Sequence, residues 1–139
     1  MLSRPRYGWT EITIGDFKSS ASYLTDVPND LLDELIRSIE NRCPACITFD
    51  AEGYDFTIVS DIFYTHVIKE KEDTEGFEYY TSPISKREFA KTVIEDIKSN
   101  LDAWADWECC ENECIDAVKF VLSCKINNLK RIMEEVYGY

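Results

Sequence analysis

Residues 47–59 read Ile-Thr-Phe-Asp-Ala-Glu-Gly-Tyr-Asp-Phe-Thr-Ile-Val, with two apolar runs on either side of Ala51-Glu52-Gly53. Both runs are rich in β-branched and aromatic residues, which favour strands, and a short loop containing glycine between such runs is typical of a β-hairpin. The segment therefore predicts two adjacent antiparallel strands. Because helical periodicity dominates other parts of the chain, this hairpin indicates an α+β fold.

Further hairpins are predicted on both sides of the central one. Residues 8–24 alternate apolar and polar side chains around a turn at Gly15-Asp16. Residues 62–70 and 77–81 are strand-like and are joined by a polar, charge-dense loop. These patterns predict an antiparallel sheet of about five to six strands.

Three helices are predicted to pack on this sheet. The first begins near Asp26 and Pro28 and ends by Asn41. The second opens with Ser85 and Glu88, which match a capping box, and continues as one long helix through Trp104. The third is long and C-terminal, with an inner stripe of apolar residues at helical spacing: Ile115, Val118, Leu122, Ile126, Leu129, Met133 and Val136. Residues 1–139 are interpreted as a single α+β domain.

The charge of the chain is strongly negative and unevenly distributed. Twenty-seven acidic residues face fifteen basic ones, which gives a net charge of −12. Between Glu95 and Asp116 there are eight acids and one base, Lys98, a local charge of −7. Such a field repels nucleic acid and anionic lipid and attracts a basic protein surface. We therefore expect a basic protein partner, no nucleic-acid partner and no membrane partner.

The predicted partner-binding surface lies in this acidic segment. Trp107 is expected either to pack into the core or to act as an exposed aromatic anchor beside the acids. A run of like charge is also compatible with a solvated helix face that only keeps the protein soluble. The residues predicted to contact the partner are Asp102, Asp106, Trp107, Glu108, Glu111, Glu113 and Asp116.

The six cysteines allow more than one interpretation. Cys43 and Cys46 form a C-x-x-C pair, and Cys110 with Cys114 could complete a four-thiolate zinc site. However, three residues rather than two lie between Cys110 and Cys114, and Cys46 leads directly into a strand-like run. We expect reduced cysteines that pack as small semi-apolar residues, with no bound metal, no cofactor and no obligatory disulfide.

No catalytic pattern stands out. His66 is the only histidine, and no nucleophile motif marks a partner for it. Asp50 and Glu52 are paired carboxylates, but both occupy a hairpin loop where such residues are common. The glycines do not form a phosphate-binding loop, and the acids lack the spacing of a calcium loop. The chain is therefore predicted not to be an enzyme.

The N-terminal third resembles small cytoplasmic immunity proteins of bacterial polymorphic-toxin systems, including those of contact-dependent growth inhibition. The resemblance covers roughly residues 9–60. Three motifs carry it: Trp9-Thr-Glu-Ile-Thr-Ile-Gly15; Ala21-Ser-Tyr-Leu-Thr-Asp26 with Pro28 and Leu31-Leu32; and Phe49-Asp-Ala-Glu-Gly53. It implies a soluble inhibitor that binds one cognate toxin domain, often a basic nuclease, and has no catalytic residues of its own.

The leading functional hypothesis is thus a cytoplasmic immunity protein that neutralises a basic toxin through an acidic surface. Two alternatives belong to other classes of protein: a zinc-stabilised accessory or interaction domain, and a small enzyme built on carboxylates. Convergence of acids and His66 in a deep pocket would favour the enzyme. An acidic surface bearing exposed aromatic side chains would favour the inhibitor.

Overall fold

The computed structural model describes residues 1–107 and 112–138. The elements follow the chain as β1 (Trp9–Ile14), β2 (Phe17–Ser22), α1 (Val27–Glu40), β3 (Ala45–Asp50), β4 (Asp55–Ser60), β5 (Thr65–Glu70), β6 (Phe77–Ser82), α2 (Lys86–Ser99), α3 (Leu101–Asp106) and α4 (Asn112–Tyr137). The predicted α+β class and the predicted number of strands are confirmed. The strands form two sheets rather than one, and the described residues contain four helices rather than three.

The larger sheet is an antiparallel meander with the strand order β3-β4-β5-β6. The central hairpin predicted from residues 47–59 is β3–β4, in which Phe49 lies opposite Phe56. The strand predicted from residue 62 begins only at Thr65. Asp61 causes the difference, because its carboxylate accepts the backbone N–H groups of Phe63 and Tyr64, at 2.9 and 2.8 Å, and holds residues 61–64 in a turn.

The smaller sheet is the predicted N-terminal hairpin, β1–β2, and the ring of Phe17 packs on the meander. Phe17 is buried at the start of β2, and its ring lies 5.1 Å from that of Phe56 and 5.2 Å from that of Tyr80. At the hairpin turn, Gly15 has a φ of 55°, and a side chain there would meet Ser82 at 2.9 Å. The two sheets therefore contribute to one hydrophobic cluster, which also includes the buried faces of α1, α2 and α4.

The long helix predicted through Trp104 is divided at Asn100. Asn100 adopts non-helical backbone angles, and its N–H bonds to Ile97 O at 3.3 Å instead of continuing the helical ladder. The sequence Ser99-Asn100 favours such a break, since short polar side chains compete with the helical backbone for hydrogen bonds. As a result, α3 is a separate helix, and Glu95 on α2 no longer shares one continuous face with Asp102 and Asp106.

The other helix predictions are confirmed with one exception. The Ser85 hydroxyl accepts the N–H of Glu88, and the Glu88 carboxylate accepts the N–H of Ser85, which completes the predicted capping box. Leu122, Ile126, Leu129 and Met133 of the α4 stripe are buried, and Ile115 and Val118 are half-buried. Val136 is exposed, because the last turn of α4 borders an open cavity instead of the core. Within the described ranges, no helix combines the length and the apolar character needed to cross a membrane.

Glu34 joins α1 to the outer edge of β3. Its Oε1 accepts the N–H of Cys46 at 2.9 Å, and its carboxylate also accepts two hydrogen bonds from Arg37. These bonds, the Arg37 bond first, hold the pKa of Glu34 below its ordinary value of 4.5. Glu34 therefore stabilises the fold when it is ionised.

We expect Glu34→Gln to lower the free energy of unfolding by about 1–2 kcal/mol at pH 7, because the amide keeps the bond from Cys46 but loses the charge that Arg37 contacts. The folded-state pKa is depressed, so the stabilisation is present above the unfolded-state pKa and is lost as the pH falls through the folded-state pKa. Urea unfolding should show that the difference in free energy of unfolding between the unmodified chain and Glu34→Gln is smaller at pH 3 than at pH 7. Glu40→Gln, at an exposed position on the same helix, is the control, and an equal effect there would contradict the role of Glu34.

Candidate functional site

Those of the predicted partner-binding acids that the structure describes lie on α3 and α4. Asp102 and Asp106 lie on α3 and are exposed, and Asp116 is exposed on α4. Glu113 belongs to the first turn of α4. Glu108 and Glu111 lie outside the described residues. The structure therefore places the two α3 acids and Asp116 on the surface.

Basic residues from distant parts of the chain accompany these acids. Lys119 Nζ lies 2.5 Å from Asp102 Oδ1, and this bond is the main reason that the pKa of Asp102 is lowered, with Arg4 contributing through its charge. On α2, Asp96 accepts the N–H of Leu2 at 2.8 Å and lies 3.5 Å from the N-terminal ammonium of Met1. The segment with a local charge of −7 is thus partly neutralised once the chain has folded.

Trp107 occupies a half-buried position between two cavities. Its ring meets that of Trp104 edge to face, with the ring centroids 5.1 Å apart. On one side it borders an open cavity of about 610 Å³, together with Asp106, Arg4 and Arg6. Trp107 packs against the hydrophobic cluster while part of its side chain stays accessible, and its role as an aromatic anchor for a partner stays a prediction.

A second acidic surface lies at one end of the meander. The β3–β4 turn and the β5–β6 loop reach the same end of the sheet, because consecutive strands of a meander alternate in direction. Residues 50–55 and 69–78 together contain eight acids and two bases, a net charge of −6. We call these acids the sheet-end acids: Asp50, Glu52, Asp55, Glu70, Glu72, Asp73, Glu75 and Glu78.

The sheet-end acids repel one another. The pKa of Asp55 is raised by desolvation and then by the charges of Glu70 and Asp50, the latter directly opposite it in the strand register. Lys69 relieves part of this repulsion, with its Nζ 3.7 Å from Glu72 and 3.9 Å from Glu78. Binding of a cationic surface would relieve more of it, since opposite charges favour the ionised carboxylates.

Two aromatic side chains are exposed beside the sheet-end acids. Phe77 and Tyr79 of β6 are 53% and 72% exposed. Phe77 lies opposite Glu70, and Tyr79 lies opposite Ile68, in the β5–β6 register. Exposed aromatic side chains bordered by charge are characteristic of protein-binding surfaces.

His66 lies on β5 and is half-buried. Its Nδ1 is 3.1 Å from Thr81 Oγ1, and its Nε2 is 3.5 Å from Asp61 Oδ2. The described cavities that contain carboxylates do not include His66. Asp61, the carboxylate next to His66, lines one of these cavities.

The described cysteines do not assemble into a ligand set. Cys43, Cys46 and Cys124 are free thiols, and Cys114 is exposed on α4, while Cys109 and Cys110 lie outside the described residues. The part of the chain that the structure describes contains no group of three or more His, Cys, Asp or Glu side chains suited to hold a metal. Cys43 instead accepts a hydrogen bond from Arg37 Nη1 at 3.3 Å.

No protein-family model and no solved structure matches this chain. The candidate site therefore rests on the chemistry of the chain itself. Sequence reasoning located the acidic segment of α3 and α4 but missed the sheet-end acids, which come from two separate stretches. The sequence did contain a signal for them. The second and third predicted hairpins follow each other, so in one antiparallel sheet their two loops would lie at the same end.

Proposed function

We propose that this chain is an immunity protein that binds and neutralises a basic toxin domain, a nuclease, in the cytoplasm. The observation that carries the proposal is the exposed acidic surface at the end of the meander, next to Phe77 and Tyr79. The resemblance of residues 9–60 to immunity proteins supports the same class of function. Such a function needs a complementary surface and no catalytic group.

The proposed mechanism is occlusion of the toxin active site. A nuclease presents basic side chains where it contacts phosphates. The carboxylates of the sheet-end acids would bind these basic side chains in place of the phosphates. Opposite charges speed the encounter, and the effect falls as salt screens them. Phe77 and Tyr79 would then supply apolar contacts, since desolvated aromatic side chains contribute strongly to binding energy.

The first test is to look for a toxin domain in the reading frame next to this gene and to co-express that domain with the chain. We expect cells to survive when both proteins are produced, and the two proteins to purify as a complex. Death of the cells despite production of the soluble chain would sink the proposal. Survival without a complex would point to an enzymatic mode of protection instead.

Charge reversal distinguishes the two acidic surfaces. We expect Glu72→Lys with Glu75→Lys to slow association with the toxin domain about tenfold at low salt and to make the salt dependence shallower, because two attractive charges become repulsive. Asp106→Lys with Asp116→Lys is the matched change on the surface predicted from the sequence. Stopped-flow association rates at several salt concentrations measure both effects.

The outcome assigns the contact surface. A larger effect at Glu72 and Glu75 would support the sheet end, and a larger effect at Asp106 and Asp116 would support α3 and α4. Unchanged association rates for both double variants would mean that the acids only keep the protein soluble.

A further inference from the structure

The outer edge of β6 is an open hydrogen-bonding edge. The N–H of Lys71 bonds to Gly76 O at 3.1 Å, and bonding pairs alternate along an antiparallel ladder. The residues of β6 that bond to β5 are therefore Glu78, Tyr80 and Ser82. It follows that the alternating residues of β6 direct their backbone N–H and C=O groups away from the sheet.

These outward groups belong to Phe77, Tyr79 and Thr81. No hydrogen bond within the described residues satisfies any of them. An edge of this kind can pair with a strand of another chain, which is why proteins commonly protect their sheet edges.

The opposite edge of the same sheet is protected. On β3, the outward N–H of Cys46 bonds to Glu34 Oε1, and the outward N–H of Asp50 bonds to Thr25 Oγ1, each at 2.9 Å. Side chains thus occupy the β3 edge, whereas the β6 edge is left open and carries exposed aromatic rings. The strand β2 also has an unpaired side, but its exposed residues there are Lys18 and Ser20, which offer a positive charge and a hydroxyl in place of aromatic rings.

We propose that the partner protein adds a β-strand bearing basic side chains to the open edge of β6. Charge complementarity selects this occupant, since the sheet-end acids border the beginning of β6 and would face cationic side chains of the incoming strand. A second copy of this chain is disfavoured, because each copy carries a net charge of −12. The identity of this partner as a toxin rests on the proposed function.

The strand model explains why the aromatic residues are exposed. Tyr79 and Phe77 occupy the outer face of β6, where a paired strand would place its own side chains beside their rings. Aromatic and β-branched cross-strand neighbours stabilise such pairs. The backbone would supply affinity, and the acids would set the preference for a basic sequence.

The test uses the whole chain and a seven-residue peptide of alternating lysine and valine. We expect the peptide to shift the amide resonances of Phe77, Tyr79 and Thr81 and to slow their hydrogen exchange about tenfold, because pairing protects those N–H groups. A peptide with the same side chains but N-methylated at alternate positions should lose the effect, since it cannot complete the ladder. Equal effects of the two peptides, or changes confined to residues 70–76, would overturn the proposal.

A proline variant provides the second measurement. Tyr79→Pro removes an N–H that has no partner within the described residues, and proline is tolerated on such edges. We expect it to abolish the amide protection, whereas Thr48→Pro, the matched change on the β3 edge, should not. Circular dichroism checks that both variants fold. If either variant does not fold, the comparison of the two peptides on the unmodified chain decides the proposal.

The complex with the toxin domain separates this inference from the proposed function. Survival of co-expressing cells without protection of the β6 amides would keep the immunity function and overturn strand pairing. Protection by the peptide without cell survival would keep the edge as a binding site and overturn the immunity function. Amide protection that rises with protein concentration alone would instead assign the edge to a second copy of this chain and overturn the proposal.

Discussion

Phe17→Ala is expected to lower the free energy of unfolding by about 3–5 kcal/mol, the usual cost of truncating a buried phenylalanine. The ring of Phe17 contacts those of Phe56 and Tyr80, and its removal leaves a cavity between the two sheets. The hairpin β1–β2 would then lose its main aromatic contact with the meander. Urea unfolding with linear extrapolation measures the change.

The matched control is Phe120→Ala. Phe120 lies on α4 and is 70% exposed, so the same substitution there should change stability by less than about 0.5 kcal/mol. Equal losses in the two variants would mean that the hairpin does not pack on the meander through Phe17.

Lys86→Met is expected to lower the free energy of unfolding by about 2–4 kcal/mol at pH 7. Lys86 is only 6% exposed, and its Nζ donates hydrogen bonds to Ser38 O at 3.1 Å and to Cys43 O at 2.6 Å. Methionine has a similar length but no donor, so the carbonyl groups of Ser38 near the end of α1 and of Cys43 after it would lose a charged partner. Lys98→Met, an exposed change on the same helix, is the control.

The effect of Lys86 should also depend on pH. Desolvation lowers the pKa of Lys86 below its ordinary value of 10.5. Below the lowered pKa, both the folded and the unfolded states hold the proton. Between the lowered pKa and 10.5, the unfolded state binds more protons, so stability rises with pH in that window. The stability of the unmodified chain minus that of Lys86→Met should therefore increase as the pH rises towards 10.5. A constant difference would contradict the burial of the charged amine.

Most of the secondary structure could be predicted because it depends on short-range patterns. The capping box at Ser85 and Glu88 and the loop at Gly53 act within a few residues of the chain. The turn at Asp61 was missed although its signal is local, since one carboxylate accepting two backbone N–H groups outweighed the strand propensity of Ile62, Phe63 and Tyr64. The break at Asn100 was missed for a related reason, because apolar periodicity continued through it into α3.

The candidate site could be predicted only in part. Asp102 and Asp106 are exposed as their positions in the sequence suggested, but the pairing of Asp102 with Lys119 depends on the packing of α3 against α4. Arg4, near the start of the chain, likewise acts on Asp102 through its charge and borders the same cavity as Asp106. Charge counted along a segment therefore overstated the charge of the surface.

The amino-acid sequence by itself determined the α+β class, the hairpins, the helix starts and the excess of acid, because propensity, periodicity and ionisation are properties of single residues and their near neighbours. Only the tertiary structure decided where the charge is concentrated and which backbone groups are left open. The direction of the meander brings the acids of two loops to one end, and the alternation of its ladder leaves Phe77, Tyr79 and Thr81 facing outward on β6. Both results depend on how strands pair across the sheet, a long-range geometry that a local pattern does not contain.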